Sequence, residues 1–271
     1  MRFINRQPGA GGRWLLALLP LILLVAVYAV ASSLRLAENP DDKLLPGASS
    51  MVEAMRQLAF TEDERTGDVL LWSDTAASLQ RLLLGIGVAA VVSLCLGIAA
   101  GTFPLLGATL SPLLAVVSMI PPLAILPILF IVFGLDELSK VMLIVIGITP
   151  VLARDLEQRA REIPRETFVK AQTLGANSWT VVLRVVLPVL LARLFVSLQL
   201  MLGAAWLFLI SAEAISATSG LGYRIFLVRR YMSMDIILPY VAWITLLAWA
   251  MDQGLKRLHR RIFPWSEGGG S

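Results

Sequence analysis

Apolar and charged positions in this chain do not alternate but are sorted into long blocks. Trp14–Leu34 is a run of 21 residues without a charge, ~31 Å as a helix. Leu82–Leu135 continues for 54 residues, enough for two spans and a turn, and TFPLLGATLS (Thr102–Ser111) supplies the turn chemistry. Val141–Ala153 gives only 13 residues, so it spans if Lys140 and Arg154 snorkel or the helix runs past them. Leu194–Ala212 and Ile236–Met251 add 19 and 16 residues. The pattern predicts an all-α integral membrane protein with about six transmembrane helices. Composition agrees: 57% of the 271 residues are hydrophobic and 15% charged, against roughly 25% charged in soluble domains.

Lys and Arg near the span ends set the orientation. With the N-terminus inside, thirteen fall on the inner side and eight on the outer, which places both termini in the cytoplasm. The expected organisation is a cytoplasmic N-terminus (1–13), a first transmembrane helix (14–34), an acidic periplasmic segment (35–76) and a core (77–255) carrying a loop at 154–188. A basic cytoplasmic tail (256–266) and a linker remnant (267–271) follow. The first run also has the positive start and the Ala29-Val30-Ala31 site of a cleavable signal, but its length favours a retained anchor. In the acidic segment, Met51, Val52, Met55, Leu58 and Ala59 recur at helical spacing, predicting a short amphipathic helix on the membrane. That segment reads as a solvated loop or as an acidic collar for a cationic partner. The net charge of +4 is mostly topology, and no nucleic-acid partner is expected.

Catalytic and metal-binding patterns are missing. The chain contains no GxxxxGK[ST], HExxH or CxxC. One histidine (His259) and one cysteine (Cys95, expected to be a small buried hydrophobe) make a transition-metal site improbable. No catalytic residue is expected. Two features point to movement of a solute instead. The third span holds Pro112, Pro121, Pro122 and Pro127, and a broken helix at membrane depth is tolerated where it is buried in protein or lines a cavity. Glu213, beside Ser211 at the end of the fifth span, is a boundary carboxylate that either lines a path or sits at the interface. Pro121, Pro122, Ser211 and Glu213 are the pathway candidates.

The loop RDLEQRAREIPRETFVKAQTLGANSWTVVLRVVLP (Arg154–Pro188) reads as a small helix–turn–helix on the basic side. Pro164 starts a helix over Arg165–Leu174, Gly175 ends it in a left-handed cap, and Asn177 or Ser178 caps the next. Phe168 and Leu174 are expected on one face, available for an apolar pocket.

AQTLGANSWTVVLRVVLP (Ala171–Pro188) resembles the EAA loop of bacterial ABC importer permeases. Ala77–Gly101, the proline-rich Ile120–Gly134, SAEAISATSGLGY (Ser211–Tyr223) and RRIFPW (Arg260–Trp265) are similar, in this order, to the taurine/sulfonate/nitrate branch. The resemblance implies a type I importer permease fold and a homodimer of two permease copies. It also implies two separate ATPase subunits that bind ATP and magnesium, a periplasmic substrate-binding protein, and a place for this chain in the bacterial inner membrane. No cofactor is expected on this chain itself. Carried over, Arg165, Phe168, Ala171, Thr173, Leu174, Gly175 and Ala176 are the residues coupling to the ATPase, with Pro188 opening the fifth span. The family's usual Glu-Ala is replaced by Val169-Lys170, which makes the docking surface less acidic. The implied cargo is taurine, an alkanesulfonate or nitrate; the acidic outer segment keeps urea or guanidine-like solutes as an alternative. A secondary transporter or a membrane scaffold without an ATPase is the reading from another class.

Overall fold

Every fourth residue along one face of α3 (Leu70–Thr102) is small: Gly85, Ala89, Ser93, Gly97 and Gly101. Without a hydrophobic drive between helices in lipid, such stripes let backbones approach and pack. Against this one lies α6 (Glu137–Arg161), running parallel with a constant offset. A β-carbon at Gly85 would meet Ile144 at 2.8 Å, one at Gly97 would meet Leu156 at 2.5 Å, and one at Gly101 would meet Ala160 at 2.4 Å. The computed structural model describes residues 9–39, 42–64 and 67–266. Arg2, Arg6, Asp41, Arg65 and the expected linker remnant lie outside them.

α6 is the central helix, with Leu143, Ile144, Ile148, Leu152 and Leu156 almost wholly enclosed. It is 25 residues long, ~37 Å, and extends past both Lys140 and Arg154. Its charges keep it out of the group that is apolar and long enough to cross a membrane by composition. That group is Leu15–Glu38, Leu70–Thr102, Ser178–Ser216 and Met234–Ile262, with a fifth if one bent pair counts as a span. α6 needs no lipid-facing apolar surface because its neighbours cover it.

The bent pair corrects the sequence expectation for the third span. Only Phe103 separates α3 from α4 (Pro104–Val117), because the residue before a proline is driven extended and Pro104 is suited to a first helical turn. The remaining turn-forming residues of Thr102–Ser111 are helical, and the Ser111 hydroxyl is satisfied at the Gly107 carbonyl. The true break comes at Ser118–Pro121. A 3-10 turn (Pro122–Ile125) then leads into α5 (Leu126–Phe133), and the axis bends by 83°.

α1 (Ala10–Glu38) is longer than the expected 14–34 and stands outside the bundle, only 6% of its apolar window being buried. Its Tyr28 and Ser32 hydroxyls hold the Leu45-Pro46 carbonyls. α2 (Ala48–Phe60) is the expected amphipathic helix, but its half-buried Met55, Leu58 and Ala59 pack on the protein core, while Val52 faces outward. The bundle begins at Leu70, not at 77, because Leu70–Ala76 forms the first turns of α3. Cys95 is exposed, on the side of α3 away from Ser93 and Gly97.

After α6 come α7 (Arg165–Thr173), α8 (Ser178–Val181) and α9 (Leu187–Ser216). A π-helical turn at Val182–Val186 joins α8 to α9. It lies directly before Pro188, which lacks an amide hydrogen and crowds the preceding turn. α10 (Leu221–Arg229) and α11 (Met234–Ile262) complete the fold; the expected tail 256–266 is therefore helical up to Ile262.

Candidate functional site

At one end of the bundle, α7 closes in a full Schellman motif. Gly175 takes φ +86°, its amide donates to Gln172 O at 2.9 Å, and the Ala176 amide donates to Ala171 O at 3.0 Å. Asn177 then caps α8, its side-chain oxygen accepting from the amide and hydroxyl of Thr180, each at 2.8 Å. The turn is thus fixed by local chemistry on both sides. Phe168, Ala171 and Ala176 are half-buried and anchor it to the core. Arg165, Thr173 and Gly175 are exposed, and Leu174 presents 88% of its surface outward. Phe168 and Leu174 therefore do not share a face: Leu174 lies past the last turn of α7 and is carried outward as the chain reverses. Val169 and Trp179, on either side of Leu174 in sequence, are exposed as well, and sequence reasoning missed both. A tryptophan two residues after a helix cap was the available signal.

The opposite end contains a second constellation, built around the start of α10. Three successive amides there are satisfied by side chains of other helices: Gly220 donates to Asp74, Leu221 to the Ser78 hydroxyl and Gly222 to Glu213, each at 2.9 Å. Carboxylates at a helix N-terminus meet both the orphan amides and the dipole. Arg81 reaches Glu213 Oε1 from Nη1 at 2.7 Å and Ser219 O at 2.8 Å, and forks onto Glu137 at the head of α6. Lys140 also contacts Glu137 at 3.1 Å. Arg224 pairs with Asp74 at 2.8 Å, with Tyr240 of α11 beside it at 3.4 Å. Five helices meet here. Gly220, at φ +122°, is required by space as well: a β-carbon would lie 2.5 Å from Glu213 Oε1.

In this structure the Glu213 side chain is fully buried, its oxygens accepting from Ser78, Arg81 and the Gly222 amide. The structure brings Glu213 together with Ser78 and Arg81. Ser211 turns to Leu207 O, while Pro121 and Pro122 stand at the α4–α5 bend, Pro121 exposed and Pro122 half-buried. The four pathway candidates are not brought together in one copy.

The lower half of α6 is paired as well. Asp155 is forked by Arg193 and accepts from Ser197, both on α9. Glu157 is bridged by Arg161 and Ser111, and Arg154 donates to Ser118 at the α4–α5 break, 2.9 Å away. A cavity of about 610 Å³ opens between α4 and α6, lined by Ser111, Ala115, Arg154 and Glu157. Among the described residues no group of three or more His, Cys, Asp or Glu is placed to hold a metal.

The profile of the binding-protein-dependent transport system inner membrane component family matches residues 93–264. The taurine transport system permease protein TauC of Escherichia coli K12 is 31% identical over 245 residues, covering 90% of this chain and 87% of its own length. The bicarbonate transport system permease protein CmpB of Synechococcus elongatus is 32% identical over 235 residues, 80% of each chain. The putative aliphatic sulfonates transport permease protein SsuC of Escherichia coli is 28% identical over 257 residues, 94% of each. In fold, the chain is similar to a structure of inward-facing conformations of the MetNI methionine ABC transporter. The TM-score is 0.60 at 19% identity, covering 69% of this chain and 93% of that one.

Proposed function

The chain belongs to the binding-protein-dependent transport system inner membrane components, and from that premise we propose how it works. It is the multi-pass inner-membrane permease subunit of an ABC importer, and ATP is hydrolysed by a separate subunit. Two copies of the chain form the pathway. Each inserts the turn Thr173–Ala176 into a groove of one of two ATPase subunits, which carry ATP and magnesium, while a substrate-binding protein delivers cargo at the other end. Leu174 is the apolar plug of that joint, Val169 and Trp179 are its flanks, and Arg165 and Lys170 give it a basic edge. Phe168, Ala171 and Ala176 hold the turn against the bundle. Both termini and the turn lie in the cytoplasm, as the Lys/Arg bias supports.

The cargo is a small solute bearing an oxyanion. Taurine, aliphatic sulfonates and bicarbonate, in the names of the relatives, share that group, and nitrate has the same chemistry. The acidic segment that favoured urea or guanidine-like solutes has part of its charge engaged locally, Asp42 being paired with Arg35 at 2.7 Å. That weakens the alternative.

One observation carries the coupling reading: a turn locked by a backbone Schellman motif on one side and the Asn177 side-chain cap on the other holds a leucine almost fully out of the protein. Gly175→Asp tests it. The site is open, with nothing within 4 Å of the added β-carbon, so the fold and membrane insertion are expected to persist. ATP-driven uptake in proteoliposomes containing the ATPase and binding protein is expected to fall at least tenfold. Unchanged uptake overturns the assignment.

A further inference from the structure

The seam between α9 and α11, at the end that carries the Thr173–Ala176 turn, holds two adjoining cavities. One, of about 440 Å³, is bordered by Arg159, Arg193, Val196, His259 and Trp265. The other, of about 490 Å³, is bordered by Val196, Gln199, Lys256, His259 and Arg260. They share Val196 and His259. Among the described residues, no carboxylate lines either one.

The wall between them is aromatic. His259 is buried in an aromatic stack with Phe195 and Phe263, centroids 6.2 and 5.8 Å away, and its Nε2 lies 3.3 Å from the Ser266 hydroxyl. The charge balance is positive. Arg193, Arg159 and Lys256 each have one carboxylate partner, but among the described residues Arg257, Arg260 and Arg261 have no ion pair. Beside these cations the terminal turns of α11 expose Leu258 and Ile262, and Trp265 is 56% exposed just beyond. Long apolar side chains and an indole interleaved with arginines at a helix end mark the headgroup level of a bilayer. A soluble anion does not require that apolar border.

We propose that this seam is a binding site for an anionic phospholipid. The phosphodiester sits between His259, Lys256 and Arg260, and an acyl chain follows Val196 along the α9–α11 groove. Basic pockets between helices near the membrane surface recognise such headgroups, each cation contributing on the order of 1 kcal/mol. The occupied site ties α11 to α9 through the lipid. The proposal rests on the helix packing and charge placement and is independent of the coupling assignment.

The test uses the full-length chain in vesicles, with the Trp265 signal isolated as the fluorescence lost in Trp265→Phe. Brominated phosphatidylglycerol, as a minor component in phosphatidylcholine, is expected to quench that signal well above its mole fraction. Brominated phosphatidylcholine at the same fraction is expected to quench only in proportion. In Lys256→Gln/Arg260→Gln the preference should fall by roughly thirtyfold. Both side chains are exposed, and proportional quenching by the phosphatidylcholine probe confirms that the variant is inserted. Equal quenching by the two lipids, or a preference that survives the double substitution, overturns the site. Relief of quenching by inorganic phosphate at constant ionic strength also overturns the lipid assignment, in favour of a soluble anion.

Discussion

Glu213 and Arg81 form a buried ion pair, Oε1 to Nη1 at 2.7 Å, that joins α9 to α3 across 132 positions of sequence. Removing one member of a buried pair leaves an uncompensated charge, at a cost of about 3–5 kcal/mol. Arg81→Met and Glu213→Leu are each expected to lower the thermal midpoint of the detergent-solubilised chain sharply. The double substitution should cost less than the sum of the two, because neither charge is then stranded. A double-mutant cycle on unfolding midpoints reads the coupling directly; additivity would remove the pair from the account.

Two glycines with positive φ separate folding from coupling. Gly220→Ala adds a β-carbon onto the Glu213 carboxylate and breaks the capping of α10, so poor membrane accumulation is expected. Gly175→Ala meets no atom and costs only the left-handed conformation, about 1–2 kcal/mol. It should accumulate normally. Comparing membrane yield and melting for the two variants checks the distinction.

Gly147 sits under the ring of Phe208, where an added β-carbon would approach Cε2 to 2.5 Å. Gly147→Val should therefore push α6 from α9 and destabilise the protein by a few kcal/mol. Phe208→Ala in the same chain is expected to restore part of the loss, and failure of that rescue would mean the steric pair is not the cause.

Asn177→Ala removes the side-chain cap of α8, worth about 1 kcal/mol. The expected effect is local. Amide exchange at Trp179–Val181 should accelerate several-fold while α9 is unchanged, and uptake should fall by a smaller factor than in Gly175→Asp.

How much of this was legible in sequence depended on the separation of the partners. Pro164, Gly175 and Asn177 act on their own backbone within a few residues, so the turn could be written down with its caps in place. The α10 cradle draws on Asp74, Ser78, Arg81, Glu137 and Glu213, and sequence alone pairs none of them. One hint was present: Asp74, Ser78 and Arg81 follow i, i+4, i+7 spacing, a polar stripe on an otherwise apolar helix. The small-residue stripe of α3 was equally readable and predicts a closely packed partner, though not which one. α6 was under-read because a charge-free run measures lipid exposure, and a helix enclosed by others is released from that requirement. The α4–α5 bend was legible as four prolines but not as an angle.

The π-turn at Val182–Val186 has a mechanical consequence. By absorbing Pro188 without a break, it makes Ser178–Ser216 one shaft of 39 residues, about 58 Å long. One end abuts the exposed leucine turn; the other carries Glu213, the cap of α10. A tilt of only about 5° about one end would carry the other through roughly 5 Å. A shaft fastened at its far tip to α10 and, through Arg81, to α3 and α6 would act on all three if it tilted as one body.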